Sequence, residues 1–95
     1  MLIYVFYNSS DDCDLIDLST QSFESVKTIQ TLFLRWLFDK NNEHDYWMYR
    51  EGQKYGCAYD TNAFIHWLNQ FHPDYAAKLI RQHVRIGNDH PTLFF

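Results

Sequence analysis

This 95-residue sequence contains few of the residues that mark specialised protein classes. It has two cysteines, far apart in the chain, and three glycines. That is too few for a disulfide-dense scaffold, a paired-cysteine zinc site or a glycine-rich phosphate loop. No apolar run approaches the ~20 residues of a membrane span, and the first residues lack the basic start of a secretory signal. These absences predict one cytoplasmic domain over residues 1–95, with both thiols reduced and no membrane contact.

The charge is acidic overall and unevenly distributed. The net charge is −4, and residues 1–60 hold ten Asp and Glu against five Lys and Arg. Binding a phosphate backbone requires clustered Lys and Arg, so the composition argues against nucleic acid as a partner. Opposite potentials accelerate encounter, which favours a protein partner with a basic surface. The alternative is that the acidity only keeps an aromatic-rich surface soluble.

The pattern of apolar residues predicts an α+β fold with the element order β-β-α-β-β-α-α. Residues 2–7 and 15–18 predict a first hairpin, and residues 46–50 and 53–59 predict a second one around Glu51 and Gly52. We expect the two hairpins to form one antiparallel sheet that packs against about three helices. The apolar residues 92–95 should dock as an edge strand or bind a partner.

Three helices are predicted from capping residues and from apolar spacings of three and four. The first begins at an N-cap provided by Thr20 or Ser22, and the second begins after Asp60. The third begins at Pro73 and ends at Gly87, because proline suits the first turn of a helix and glycine the position after its end.

Two residue pairs offer an enzymatic alternative. Cys57 and His66 are the residue types of a nucleophile and its base. Arg85 and His90 have the R-x4-H spacing used by a class of helical RNA-cleaving domains. The alternative function is therefore a small thiol hydrolase or nuclease, although an isolated cysteine in an aromatic strand is usually buried filler.

No cofactor and no metal are predicted. The histidines show no HxxxH spacing that would place two ligands on one helical face. One alternative stays open, a metal site assembled across the fold from His44, Asp45 and His66. Residues 8–14 resemble the start of a calcium loop, but Cys13 stands where such a loop requires glycine.

Aromatic residues are more numerous than one small core needs. The chain has Phe 8, Tyr 7 and Trp 3, and five of these lie between residues 46 and 59. Strand side chains alternate between faces, so some of the five should point away from the core. Tyrosine and tryptophan dominate the energetic centres of protein interfaces. The sequence thus predicts a small protein-binding module, although the same hairpin could instead lie inside the core.

The predicted module inhibits or regulates another macromolecule by covering its surface, as antitoxins, immunity proteins and anti-defence proteins do. That analogy rests on physical properties and not on a motif. We expect Trp47 to be replaceable by alanine with loss of binding and an intact fold. A further alternative is a homodimeric structural subunit joined through the tyrosine-rich hairpin or residues 93–95. The expected partner-binding residues, acidic ones that steer and aromatic ones that anchor, are Asp11, Asp12, Asp14, Glu43, Asp45, Tyr46, Trp47 and Tyr49.

Overall fold

Both predicted hairpins are present, but they belong to different sheets. In the computed structural model, which describes residues 1–7 and 12–95, the second hairpin forms a two-stranded sheet of its own. The first hairpin forms the middle of a four-stranded sheet with the order β5-β2-β1-β6. This sheet is mixed, because β6 runs parallel to β1, so the prediction of one antiparallel sheet is wrong. The strands are β1 (Leu2–Phe6), β2 (Cys13–Asp17), β3 (Trp47–Arg50), β4 (Gln53–Cys57), β5 (Lys78–Val84) and β6 (Thr92–Phe94).

Two of the three predicted helices are confirmed. Helix α1 spans Phe23–Phe38, and its N-cap Ser22 accepts a hydrogen bond from the Ser25 backbone N–H. Helix α2 spans Thr61–Phe71, and the Asp60 side chain caps it in the same way. Both caps satisfy donors that the first turn of a helix leaves without an intrahelical partner.

The predicted third helix is wrong. In place of its first turn the structure has a single 3-10 turn, Pro73–Tyr75. This turn ends at Ala76, which has the left-handed conformation with φ 44° and ψ 52°. The chain then becomes strand β5, because the free edge of β2 supplies backbone partners. The Asn69 side chain also exchanges two hydrogen bonds with the backbone of Ala77. These tertiary contacts outweigh the helical spacing of the apolar residues.

The core lies between one face of the four-stranded sheet and the two helices. Phe33 of α1 is fully buried, and its ring contacts those of Phe64, Trp67 and Phe95. Because strand residues alternate, Ile3 enters this core while Tyr4 lies on the opposite face. In the part of the chain that the structure describes, no helix is long and apolar enough to cross a bilayer.

Residues 85–91, here called the strap, connect β5 at one edge of the sheet with β6 at the other. The strap crosses the face that carries Tyr4. Its Asp89 accepts a 2.7 Å hydrogen bond from the Tyr4 hydroxyl, and the His90 ring lies 5.7 Å from the Tyr4 ring. The strap therefore covers the middle of the sheet on the side away from the helices.

Candidate functional site

A pocket of about 340 Å³ lies between α2, the end of α1 and the connection that follows α1. Its volume is near the lower end of the range for small-molecule pockets, roughly 300–1,000 Å³. One part of its lining is aromatic: Trp36, His44, Tyr46, Trp67 and Phe71. The other part is polar and acidic: Asn42, Glu43, Asp45, His66 and Gln70. We call it the aromatic pocket.

Residues 39–46, here called the pocket loop, are fixed by hydrogen bonds to both neighbouring elements. The Asn42 side chain donates to the Trp36 carbonyl at 2.9 Å, and the Trp47 indole N–H donates to the Asn42 carbonyl at 2.8 Å. Asp39 accepts from the Asn41 backbone N–H at 3.0 Å. The pocket loop therefore has a defined shape although it is not a helix or a strand.

Lys54 of β4 joins the hairpin to the pocket loop. Its ammonium donates to the Lys40 carbonyl at 2.7 Å and to the Glu43 carboxylate at 2.5 Å. It also lies 5.0 Å from the centre of the Trp47 ring, within the range of a cation–π interaction. Only 14% of the Lys54 side chain is exposed, whereas the Glu43 side chain is 77% exposed, so the ammonium is held inside the fold and its carboxylate partner lies at the surface.

His44 has a structural role in the pocket wall. Its Nε2–H donates to the Leu37 carbonyl at 2.9 Å, and its Nδ1 accepts from the Tyr46 backbone N–H at 3.2 Å. Both ring nitrogens are therefore engaged with the backbone. The ring stacks on Trp47 at 4.9 Å and lies 4.8 Å from Trp36. His44 therefore has no free nitrogen for a metal or for a proton transfer.

The structure bears on the alternative that His44, Asp45 and His66 form a metal site. His44, Asp45 and His66 do line the same pocket. However, within residues 1–7 and 12–95 no group of three His, Cys, Asp or Glu side chains is placed to hold a metal ion. What the three residues share is the pocket wall.

The polar rim of the pocket carries two acidic residues, Glu43 and Asp45. Asp45 is exposed and has no hydrogen-bond or ion-pair partner within the described ranges, whereas Glu43 is paired with Lys54. No Lys or Arg is among the described residues that line the pocket. Burial raises the pKa of Tyr46, and the nearby charges of Asp60 and Asp45 raise it further. The potential of the pocket therefore favours a cationic or neutral ligand over an anion.

Trp67 contributes an unpartnered donor to the pocket wall. The side chain is only 5% exposed, and its indole N–H has no hydrogen-bond partner among the residues that the structure describes. Buried indole N–H groups normally have a partner.

The aromatic residues of the predicted contact surface fall into different environments. Trp47 is only 7% exposed, so it lies inside the fold and is not an exposed anchor, while the effect of Trp47→Ala stays a prediction. Its ring is held inside by His44, Lys54 and the carbonyl of Asn42. Tyr46 lines the aromatic pocket, while Tyr49 is 56% exposed on the hairpin. The prediction that these residues bind a partner is not tested by their positions.

The first group of acidic residues lies apart from the aromatic pocket. Asp11 lies outside the described residues, as does most of the calcium-like segment. Asp12 and Asp14 line a second, smaller pocket of about 140 Å³ together with His83. Asp14 accepts hydrogen bonds from the Thr61 hydroxyl at 2.5 Å and from the His83 backbone N–H at 3.4 Å. Asp14 therefore ties β2 to α2 and β5, and Asp12 lies 3.7 Å from the His83 ring.

Neither predicted catalytic pair has an activating arrangement in the described chain. The Cys57 thiol donates to the Leu37 carbonyl, and burial raises its pKa, which lowers the thiolate fraction. No hydrogen bond joins Cys57 to His66 within the described ranges. Arg85 and His90 lie on the strap and not on a helix, so the helical context of the R-x4-H spacing is absent there.

Sequence reasoning found the acidic and tyrosine residues of the pocket loop but missed the opposite wall. Trp36, Trp67, Phe71 and Gln70 line that wall and are not among the predicted partner-binding residues. One feature of the sequence could have indicated the pocket: the end of α1 is followed directly by a polar segment that contains aromatic residues of its own. The chain matches no protein-family model, no curated protein and no solved structure. Residue roles therefore rest on the geometry of the chain itself.

Proposed function

We propose that this chain is a small protein-binding module that occludes a partner with a basic surface, and that the aromatic pocket is the centre of its contact surface. The observation that carries the proposal is the combination within one pocket of aromatic walls and the Asp45 carboxylate, which has no ion-pair partner and no neighbouring Lys or Arg in the lining among the described residues. Aromatic anchors in a partly desolvated pocket surrounded by polar groups are typical of interface centres.

The rigidity of the pocket supports this proposal. The carbonyl of Asn42 is held by Trp47 and by Lys54, and the Lys54–Glu43 ion pair closes the loop against β4. A preformed surface loses less conformational entropy on binding than a mobile one. The pocket loop therefore presents Asp45 and Tyr46 to a partner at little ordering cost.

Partner capture tests the proposal. We expect the immobilised wild-type chain to retain a basic protein from its native host. Asp45→Asn should retain about tenfold less of this protein, because a charge contact that is desolvated on binding contributes about 1–3 kcal/mol. Glu51→Gln is the matched control, since Glu51 is an exposed acid at the hairpin turn outside the pocket lining. The purified partner should then show the same ranking in a direct binding measurement.

Two further variants separate binding from catalysis. Under the enzymatic alternative Cys57→Ala or His90→Ala abolishes the biological effect of the chain, whereas the binding proposal predicts that both variants keep that effect and capture the same partner as the wild type. Capture that is indifferent to Asp45→Asn, or reduced equally by Glu51→Gln, would contradict the proposal. The homodimer interpretation stays a prediction, and the solution mass of the free chain decides it.

A further inference from the structure

We infer that the aromatic pocket binds one arginine side chain of the partner, an assignment that rests on the proposed function. The pocket volume of about 340 Å³ suits a single long side chain rather than a segment of folded structure. The acidic rim favours a cation over an anion, and the aromatic walls favour one kind of cation over another.

The walls favour a planar cation. The aromatic lining includes Tyr46, Trp67 and Phe71, and the Phe71 side chain is 48% exposed, so part of its ring is open to a ligand. A guanidinium group is planar, weakly hydrated and able to stack on such faces. It also forms two parallel hydrogen bonds with one carboxylate, and Asp45 provides a carboxylate that has no other partner among residues 1–7 and 12–95.

Lysine recognition in the same chain has a different geometry. The Lys54 ammonium is held by the carbonyl oxygens of Lys40 and Asn42, a carboxylate and one ring face. Those converging carbonyls suit a compact point charge, and Lys54 already occupies them. The aromatic pocket instead combines aromatic lining residues with the Asp45 carboxylate and the Gln70 amide, whose oxygens can accept hydrogen bonds from a guanidinium group.

The inference is tested with a small probe and the purified chain. Nα-acetyl-arginine N-methylamide is titrated and the indole N–H signals are followed by NMR. We expect the Trp36 and Trp67 signals to shift in a saturable way. The citrulline analogue is neutral but has the same shape, and we expect it to bind about tenfold more weakly. The lysine analogue should bind about threefold more weakly than arginine.

Variants then locate the binding. Asp45→Asn should weaken arginine binding about tenfold and Glu51→Gln should leave it unchanged, because only Asp45 lines the pocket. Gln70→Glu should tighten arginine binding about threefold, because it adds a carboxylate to the pocket wall. Both pocket positions are exposed, so the variants are expected to fold.

Arginine binding no tighter than citrulline or lysine binding would overturn the inference, as would equal effects of Asp45→Asn and Glu51→Gln. Partner capture that depends on Asp45 without any arginine preference would overturn the arginine assignment alone. Arginine binding without Asp45-dependent capture would overturn the proposed function while the pocket retains its ligand preference.

Discussion

Tyr7 carries a buried hydroxyl group that has no hydrogen-bond partner among the described residues. Its ring stacks on Phe95 at 5.0 Å and meets Tyr59 edge-on, so the aromatic part is well packed. Burial raises the pKa of Tyr7 well above its usual range, and Thr61, which moderates the rise, makes no hydrogen bond to it within normal geometry. The ring therefore stabilises the fold, while the hydroxyl group is buried without a hydrogen bond to the residues that the structure describes.

Tyr7→Phe should accordingly stabilise the chain at pH 7, by about 1 kcal/mol, because it removes an unsatisfied buried polar group. The advantage should grow in alkali. Above pH ~10 an unfolded tyrosine ionises while the buried Tyr7 stays protonated, so proton release favours unfolding by up to ~1.4 kcal/mol per pH unit. Urea unfolding at neutral and at alkaline pH measures the free energy of unfolding of both chains. Tyr49→Phe is the control, because it removes a tyrosine hydroxyl that is exposed and not buried. A loss of stability in Tyr7→Phe at pH 7 would contradict the prediction.

At the scale of the element, Ala76 determines where helical structure ends. It follows the turn Pro73–Tyr75 in the left-handed region, where an L side chain is strained and glycine is not. Ala76→Gly should therefore raise the free energy of unfolding by about 1 kcal/mol. Ala58→Gly is the matched control at an exposed alanine whose φ is not positive, and it should lower stability by about 0.4–1 kcal/mol. Chemical denaturation compares the two, and effects of the same sign would rule out strain at Ala76.

Sequence patterns predicted the elements that are stabilised locally and missed the one that depends on a distant partner. The Ser22 and Asp60 caps and the turn at Glu51 and Gly52 are short-range signals, and each is present. Strand β5 has apolar residues at helical spacing, but its conformation follows from the edge of β2 and from the Asn69 side chain. The same limit applies to the pocket, since Trp67 and the pocket loop line it together only through the tertiary fold.

At the scale of the whole molecule, the strap joins the two edges of the four-stranded sheet. Gly87 of the strap lies so close to the sheet that a Cβ atom there would be 2.5 Å from an Asp89 carboxylate oxygen and 3.0 Å from the Tyr4 hydroxyl. These two groups form the hydrogen bond that fastens the strap. Glycine therefore fits this position because a Cβ atom would clash with Asp89 and Tyr4, and not because of its backbone conformation.

Gly87→Ala should displace the strap and lower the free energy of unfolding by about 1–3 kcal/mol, the usual cost of an added methyl group in a filled space. Gly56→Ala is the matched control, because its Cβ would meet only the flexible end of Met48 at 3.3 Å. A double-mutant cycle identifies the cause: in an Asp89→Ala background the carboxylate is gone, so Gly87→Ala should cost much less than in the wild type. Urea unfolding of the four chains measures the coupling. An equal cost in both backgrounds would show that the strap is held by contacts other than the one between Tyr4 and Asp89.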